Sequence, residues 1–195
     1  PYFMRRIETH YKDQINKGYA AVIGEYVYSS SYDIGEGWTS ANALPCCALS
    51  KVLLNTNLYS AGPANSITFT YTAAGNALNP REVVVRLSNT TVAQKPMPYF
   101  NYLKDTIRNL PLSVFSGPSF LGVSINGNSS VVSDRIVVSN FSVTYPATFN
   151  FNNEKNFYFE LKDNTLGNYL VITNFNSNGI APVLYDYNNG KRIIG

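Results

Sequence analysis

Strict alternation of apolar and polar residues narrows what this chain can fold into more than any other feature. Over residues 66–72, Ile67, Phe69 and Tyr71 take turns with Ser66, Thr68, Thr70 and Thr72. Over 135–145, Val137, Phe141, Val143 and Tyr145 oppose Asn140, Ser142 and Thr144. A period of two sends one set to each side of an extended strand, so these segments have one face in a core and the other in water. Similar short runs recur at 82–87, 98–103, 119–125, 157–161, 169–175 and 183–187, separated by Gly, Pro, Asn and Ser. Many short strands with turn residues between them predict an all-β fold: an antiparallel, jelly-roll-like β-sandwich with a hairpin-rich C-terminal tail and helix confined to short turns.

The ends of the pattern need more argument. Residues 2–12 fit a helical face through Phe3, Ile7 and Tyr11, but their Tyr, Phe, Ile and Thr content fits a strand, closed by the turn Asn16-Lys17-Gly18. We read the strand. Residues 19–28 follow as a second strand with a bulge or close approach at Gly24, and 29–40 as a polar loop carrying the sole tryptophan, Trp38. Pro146 has no N–H to donate, so the long strand is expected to stop at Tyr145. That divides the chain into a sandwich over 1–145 and a tail over 146–195, which completes the sandwich or starts a second small β unit. Turn residues at 162–168 and 176–179 mark the tail.

Composition excludes several classes of function. A chain of 195 residues can bury about 70% of the surface it exposes unfolded, enough for its own core. Its net charge is only +3 and its basic residues are scattered, so nucleic acid is not expected as a partner. No apolar run nears the ~20 residues of a membrane-spanning helix. The chain opens on Pro1 and closes on Ile193-Ile194-Gly195, and we read it as a piece of a longer protein.

Chemistry-bearing residues are sparse. Cys46 and Cys47 lie between Leu44-Pro45 and Ala48-Leu49, flanks that suggest small buried hydrophobes, and a disulfide between neighbours would close a strained ring, so two thiols are expected. With one histidine, His10, and two cysteines, a zinc site lacks a fourth soft ligand. We expect no catalytic residue, no metal site and no cofactor. Asp33 and Glu36, and Asp163 with Asn164 and Asn168, carry oxygens that suit Ca²⁺, but turn chemistry accounts for both groups more simply. Trp38, Tyr32, Tyr99 and Tyr102 could stack sugar rings, although tyrosines in β-sandwiches more often fill cross-strand pairs. Asn89, Asn128 and Asn140 open N-glycosylation acceptor triplets that an Asn- and Ser-rich chain contains by chance. The loop 32–38 is the expected contact surface, with Tyr32, Asp33, Glu36 and Trp38 as its binding residues: two glycines free the backbone, and the rings offer area at small entropic cost.

The N-terminal block, with its spaced acidic, basic and aromatic residues followed by Asn16-Lys17-Gly18 and Gly24-Glu25, resembles the region ahead of the peptidase domain in PorU-type proteins. These are the gingipain-like cysteine endopeptidases of the bacterial type IX secretion system. The stretch SDRIVVSNFSVTYPATFNF at 133–151 looks like that family's closing jelly-roll strand, with its aspartate and Tyr-Pro exit. LYDYNNGKR at 184–192 is similar to the Leu-Tyr-Asp stretch before the catalytic domain. The resemblance implies that the catalytic His and Cys belong to a caspase-like domain beyond Gly195, because His10, Cys46 and Cys47 lack that family's Gly-containing surroundings. It also implies a parent protein that is secreted or held at the bacterial outer membrane or cell surface, cleaving C-terminal sorting signals of secreted proteins and joining those proteins to lipopolysaccharide. The expected partners are the downstream peptidase domain of the same chain, secreted protein substrates or polysaccharide. The alternative is a carbohydrate-binding β-sandwich of a secreted protein.

Overall fold

The computed structural model describes residues 1–20, 24–29, 31–161, 164–165 and 167–195. Eight strands make the body of the fold: β1 (Phe3–His10), β4 (Leu49–Leu54), β5 (Ile67–Gly75), β6 (Glu82–Leu87), β7 (Thr90–Pro96), β8 (Tyr102–Leu110), β9 (Phe120–Asn128) and β10 (Ile136–Ala147). Two short strands, β2 (Gln14–Asn16) and β3 (Gly37–Thr39), form a ribbon between β1 and β4. The eight make two four-stranded sheets, ordered β1-β10-β5-β8 and β4-β9-β6-β7. Every pair within them is antiparallel. Numbered among themselves, the eight read 1-8-3-6 and 2-7-4-5, the interleaved order of a jelly roll. The chain is an antiparallel β-sandwich, with one 3₁₀ turn at Leu112–Val114 among the described residues.

The alternation seen in the sequence is what closes the two sheets on one another. Ile67, Phe69 and Tyr71 from β5 and Phe141, Val143 and Tyr145 from β10 point inward, all essentially without solvent exposure. They meet Val83, Val85 and Leu87 of β6 and Leu121, Val123 and Ile125 of β9. Phe69 stacks on Phe141 at 5.6 Å, and Phe115 closes on Tyr145 at 5.0 Å. Burial pushes the phenols of Tyr71 and Tyr145 up to about 12, Asp105 adding to the first and Arg5 opposing the second.

Three expectations about elements need correction. β10 runs through Pro146 to Ala147. Pairing with β5 has ended by then, at Thr144, and the Pro146 carbonyl accepts from the Tyr59 N–H at 2.9 Å. A residue's N and C=O point the same way in an antiparallel strand, so the missing donor faces the 57–59 segment, while the ladder to β1 continues through Met4 and Phe3. Residues 98–101 are a turn, closed by Asn101 N–H to Pro98 C=O at 3.1 Å, and only Tyr102 and Leu103 of the expected strand belong to β8. In the tail, 157–161 alternates half-buried Phe157 and Phe159 with exposed Tyr158 but has no strand partner among the described residues. Alternation reports two-sided burial and says nothing of a ladder.

The rest of the tail is built from β11 (Asn150–Glu154), β12 (Thr173–Phe175) and a hairpin of β13 (Val183–Asp186) with β14 (Lys191–Ile194). β11 and β12 pair in parallel, not as a hairpin. Phe149 and Phe151 sit in the same core as Phe3, and Phe157 lies 4.0 Å from Phe151 in a parallel stack. Of the strand expected over 19–28, residues 21–23 lie outside the described residues; the described flanks make only isolated bridges, Tyr19 with Ile34 and Ala20 with Glu25.

Candidate functional site

The inward set of the first sheet is apolar, so its outward set is polar. The even-numbered residues Arg6, Glu8 and His10 of β1, Asn140 and Ser142 of β10, Thr70 and Thr72 of β5, and Tyr102 and Lys104 of β8 floor a groove of about 580 Å³. Residues 32–36 form its end wall.

That wall is held in place by its own turn and by what it rests on. The Glu36 N–H donates to the Asp33 C=O at 3.0 Å, the Asp33 N–H donates to Glu36 Oε2 at 3.0 Å, and the Tyr32 hydroxyl donates to the Glu36 C=O at 2.5 Å. Asn16, 2% exposed, donates through Nδ2 to the Gly35 C=O at 2.9 Å. Gly35 has φ +81°, and a β-carbon there would press within 3.0 Å of Ala74 on β5. A glycine is therefore what lets the loop lie flat on the end of the sheet.

Tyr32, Asp33 and Glu36 thus come together on the groove, Tyr32 with four-fifths of its surface exposed. Trp38 does not join them. It sits on β3, opposite Ile15, with its ring half exposed outside the groove lining. Glu36 closes the turn with its carboxylate, whereas Asp33 takes part through its backbone alone and keeps a buried Oδ2 with no hydrogen-bond partner among the described residues. Of the second oxygen-rich group, Asp163 lies outside the described residues, and Asn164 Nδ2 donates to the Gly167 C=O at 2.8 Å.

The groove has charge of both signs. Arg6 meets Glu8 at 2.6 Å and His10 Nε2 lies 3.2 Å from the same carboxylate, all three largely in solvent. Neither cysteine lines the groove. Cys46 and Cys47, expected to be buried, are both exposed free thiols in a turn closed by Cys47 N–H to Leu44 C=O at 3.0 Å. Their apolar flanks misled because the turn leads into β4, which lies at the margin of its sheet. The Cys47 thiol is held above its ordinary value by its hydrogen bond to Cys46.

Sequence reasoning missed a buried ion pair. Arg81 and Asp134 form an ion pair with no side-chain exposure, Nη2 to Oδ1 and Nε to Oδ2 both at 2.7 Å. Arg81 also donates to the carbonyls of Ala77, Met97 and Tyr99, and Asn79 donates to Asp134 Oδ1 at 3.2 Å. Burial alone would push the Asp134 carboxyl up, but the hydrogen bonds from Arg81 and Asn79 and the Arg81 charge outweigh it and hold the group below the usual carboxylate range. A lone arginine beside Pro80 and an aspartate in a polar turn carry no sequence signal that they meet.

No protein-family model matches the sequence. No curated protein matches it either. Among solved structures, the chain is similar to dimeric latent PorU from Porphyromonas gingivalis, with a TM-score of 0.50 and 11% identity over 77% of this chain and 13% of that one. The likeness is one of fold. This chain therefore spans about an eighth of the PorU chain. Two carbohydrate-binding module structures also align at 11% identity over 71% of this chain. They are the CBM36-1 domain of a multidomain xylanase from the hindgut metagenome of Trinervitermes trinervoides (TM-score 0.42, 96% of that chain) and a CBM36 bound to calcium and xylotriose (TM-score 0.40, 98% of that chain). Among the described residues, no helix is long and apolar enough to cross a membrane.

Proposed function

We propose that this chain is a non-catalytic β-sandwich of a gingipain-like cysteine peptidase of type IX secretion, secreted or held at the outer membrane or cell surface, that positions substrate or supports the downstream catalytic domain. The groove carries the reading: residues from four strands and one pinned loop converge on a polar, mixed-charge floor that suits contact with another protein surface. A nucleophile needs a base within hydrogen-bond reach. Here the exposed thiols partner each other and His10 partners Glu8, so the groove is a binding surface in this reading. Trp38, outside the groove, extends the contact area along the β2–β3 ribbon.

The test is made in the full-length parent. Tyr32→Ala combined with Glu36→Ala, and separately Trp38→Ala, should each lower the parent's peptidase activity severalfold while the sandwich stays folded. Unchanged stability, activity and sugar binding in both variants would end the proposal. A parent gene without a Gly-flanked His and a later Cys in an α/β pattern past Gly195 would end it as well. The second reading, a carbohydrate-binding module, is favoured by Tyr32 and Tyr102 on the groove, exposed rings not consumed by cross-strand packing.

A further inference from the structure

Beside the groove, and distinct from it, lies a shallow hollow of about 550 Å³ lined by Tyr19, Leu78, Pro98, Tyr99, Phe100 and Asn101. Its base is a stack: Phe100 lies on Tyr19 at 4.6 Å and 10°, and on Tyr26 at 5.6 Å and 20°. Its rim is Leu78 and Tyr99, 68% and 54% exposed. Two turns, 77–80 and 97–101, bring these side chains together, and the buried Arg81 fastens both through the Ala77, Met97 and Tyr99 carbonyls.

The backbone at Tyr99 is the unusual part. Its φ is +57°, a left-handed conformation that a bulky side chain adopts only when its surroundings impose it. Arg81 supplies the restraint on the carbonyl, and Asn79 C=O accepts the Tyr99 N–H at 2.9 Å. A β-carbon at Gly75 would run into the Tyr99 carbonyl, so β5 keeps a glycine there to admit the turn. Strained backbone of this kind clusters at ligand clamps and active sites. Here it presents a phenol ring to solvent next to an aromatic stack.

We infer that this platform binds a neutral saccharide, one pyranose ring lying with its C–H face on Tyr99 and Leu78 and its hydroxyls reaching the Tyr19 phenol and the Asn101 amide. The chemistry chooses the class. No charged side chain among the described residues lines the hollow, which disfavours an anionic or cationic ligand. Flat apolar faces with a few polar groups at the edge match a ring that is apolar on its faces and hydroxylated around its rim. The inference rests on the second reading above but uses a different surface, so the two can fail separately.

The experiment titrates the whole chain with neutral hexasaccharides (xylohexaose, cellohexaose and mannohexaose) and with a uronic-acid oligosaccharide of similar length, following backbone amide shifts by NMR. At least one neutral sugar should shift Tyr19, Leu78, Tyr99 and Asn101, with the anionic one weaker. Tyr99→Asn keeps the backbone, since Asn tolerates a left-handed φ, and removes the ring; it should weaken binding roughly tenfold or more with the melting temperature maintained. Leu78→Ala, on the other turn, should weaken it severalfold. The inference is overturned if no neutral sugar shifts these amides, if shifts appear only at Tyr32 and Tyr102, if the uronic-acid probe binds as well, or if both variants bind like the parent sequence. Shifts confined to Tyr32 and Tyr102 would leave a carbohydrate-binding groove standing while removing the platform.

Discussion

Asp134 shows how much one side chain can hold. It neutralises an arginine that has no exposure, and that arginine in turn satisfies three loop carbonyls. Removing one member of a buried pair leaves the other charged and unpaired, which costs about 3–5 kcal/mol. Asp134→Ala should lose that much in urea unfolding, and a loss under about 1 kcal/mol would mean that water reaches Arg81. The pH dependence has a definite sign. A carboxyl held below its ordinary value of about 3.9 contributes stability that is whole above that pH and drains away as pH falls through the folded value. Wild-type stability should therefore drop below about pH 4 with a component that the Asp134→Ala variant lacks. Tyr71 is the opposite case. Its hydroxyl is buried with no hydrogen-bond partner among the described residues, a burden of about 1–3 kcal/mol, so Tyr71→Phe should be neutral or about 1 kcal/mol more stable. A marked fall in melting temperature would show that the hydroxyl is bonded after all.

At the scale of elements, β5 illustrates what sequence conveys and what it leaves out. Its alternating Ile67, Phe69 and Tyr71 announce a strand and say which face is buried, because period and burial are local properties. The same reading recovers β6 at its observed bounds and most of β9 and β10. It misses β4, whose Val52 and Leu54 are apolar yet exposed, and β7, whose polar Thr90-Thr91 and Gln94-Lys95 suit a sheet margin and give no apolar rhythm. It marks a turn at Gly35, the residue that rests on the end of β5, but conveys nothing of the groove floor. That floor needs β1, β10, β5 and β8 side by side, and strand order is not written in any local pattern. The end of β5 carries a prediction of its own. Gly75→Ala forces a methyl into the Tyr99 carbonyl and Arg81, an overpacking that costs about 1–3 kcal/mol. Thermal melts would detect it, and an unchanged melting temperature would mean the 97–101 turn yields freely.

For the whole molecule, the question is whether the tail belongs to the sandwich's cooperative unit. Phe151 is 3% exposed, shares a cluster with Phe3 and stacks on Phe157. We expect one unfolding transition for the full chain, with Phe151→Ala lowering its stability by about 3–5 kcal/mol as read by circular dichroism. Two separable transitions, or a variant that melts only a minor fraction of the signal, would make residues 146–195 a unit apart.

β10 lies between β1 and β5, so the first strand of the jelly roll has no partner in its sheet until the last one arrives. During synthesis, that means a long wait. Until Ile136–Ala147 emerges, β1 dangles and one margin of β5 stays open, with Phe69 and Tyr71 lacking their cover from Phe141 and Tyr145. Pairings this distant along a chain form slowly, because a large loop must close before any contact rewards it. A nascent or stalled chain would thus present uncovered apolar strand faces until Ile136–Ala147 is free to pair.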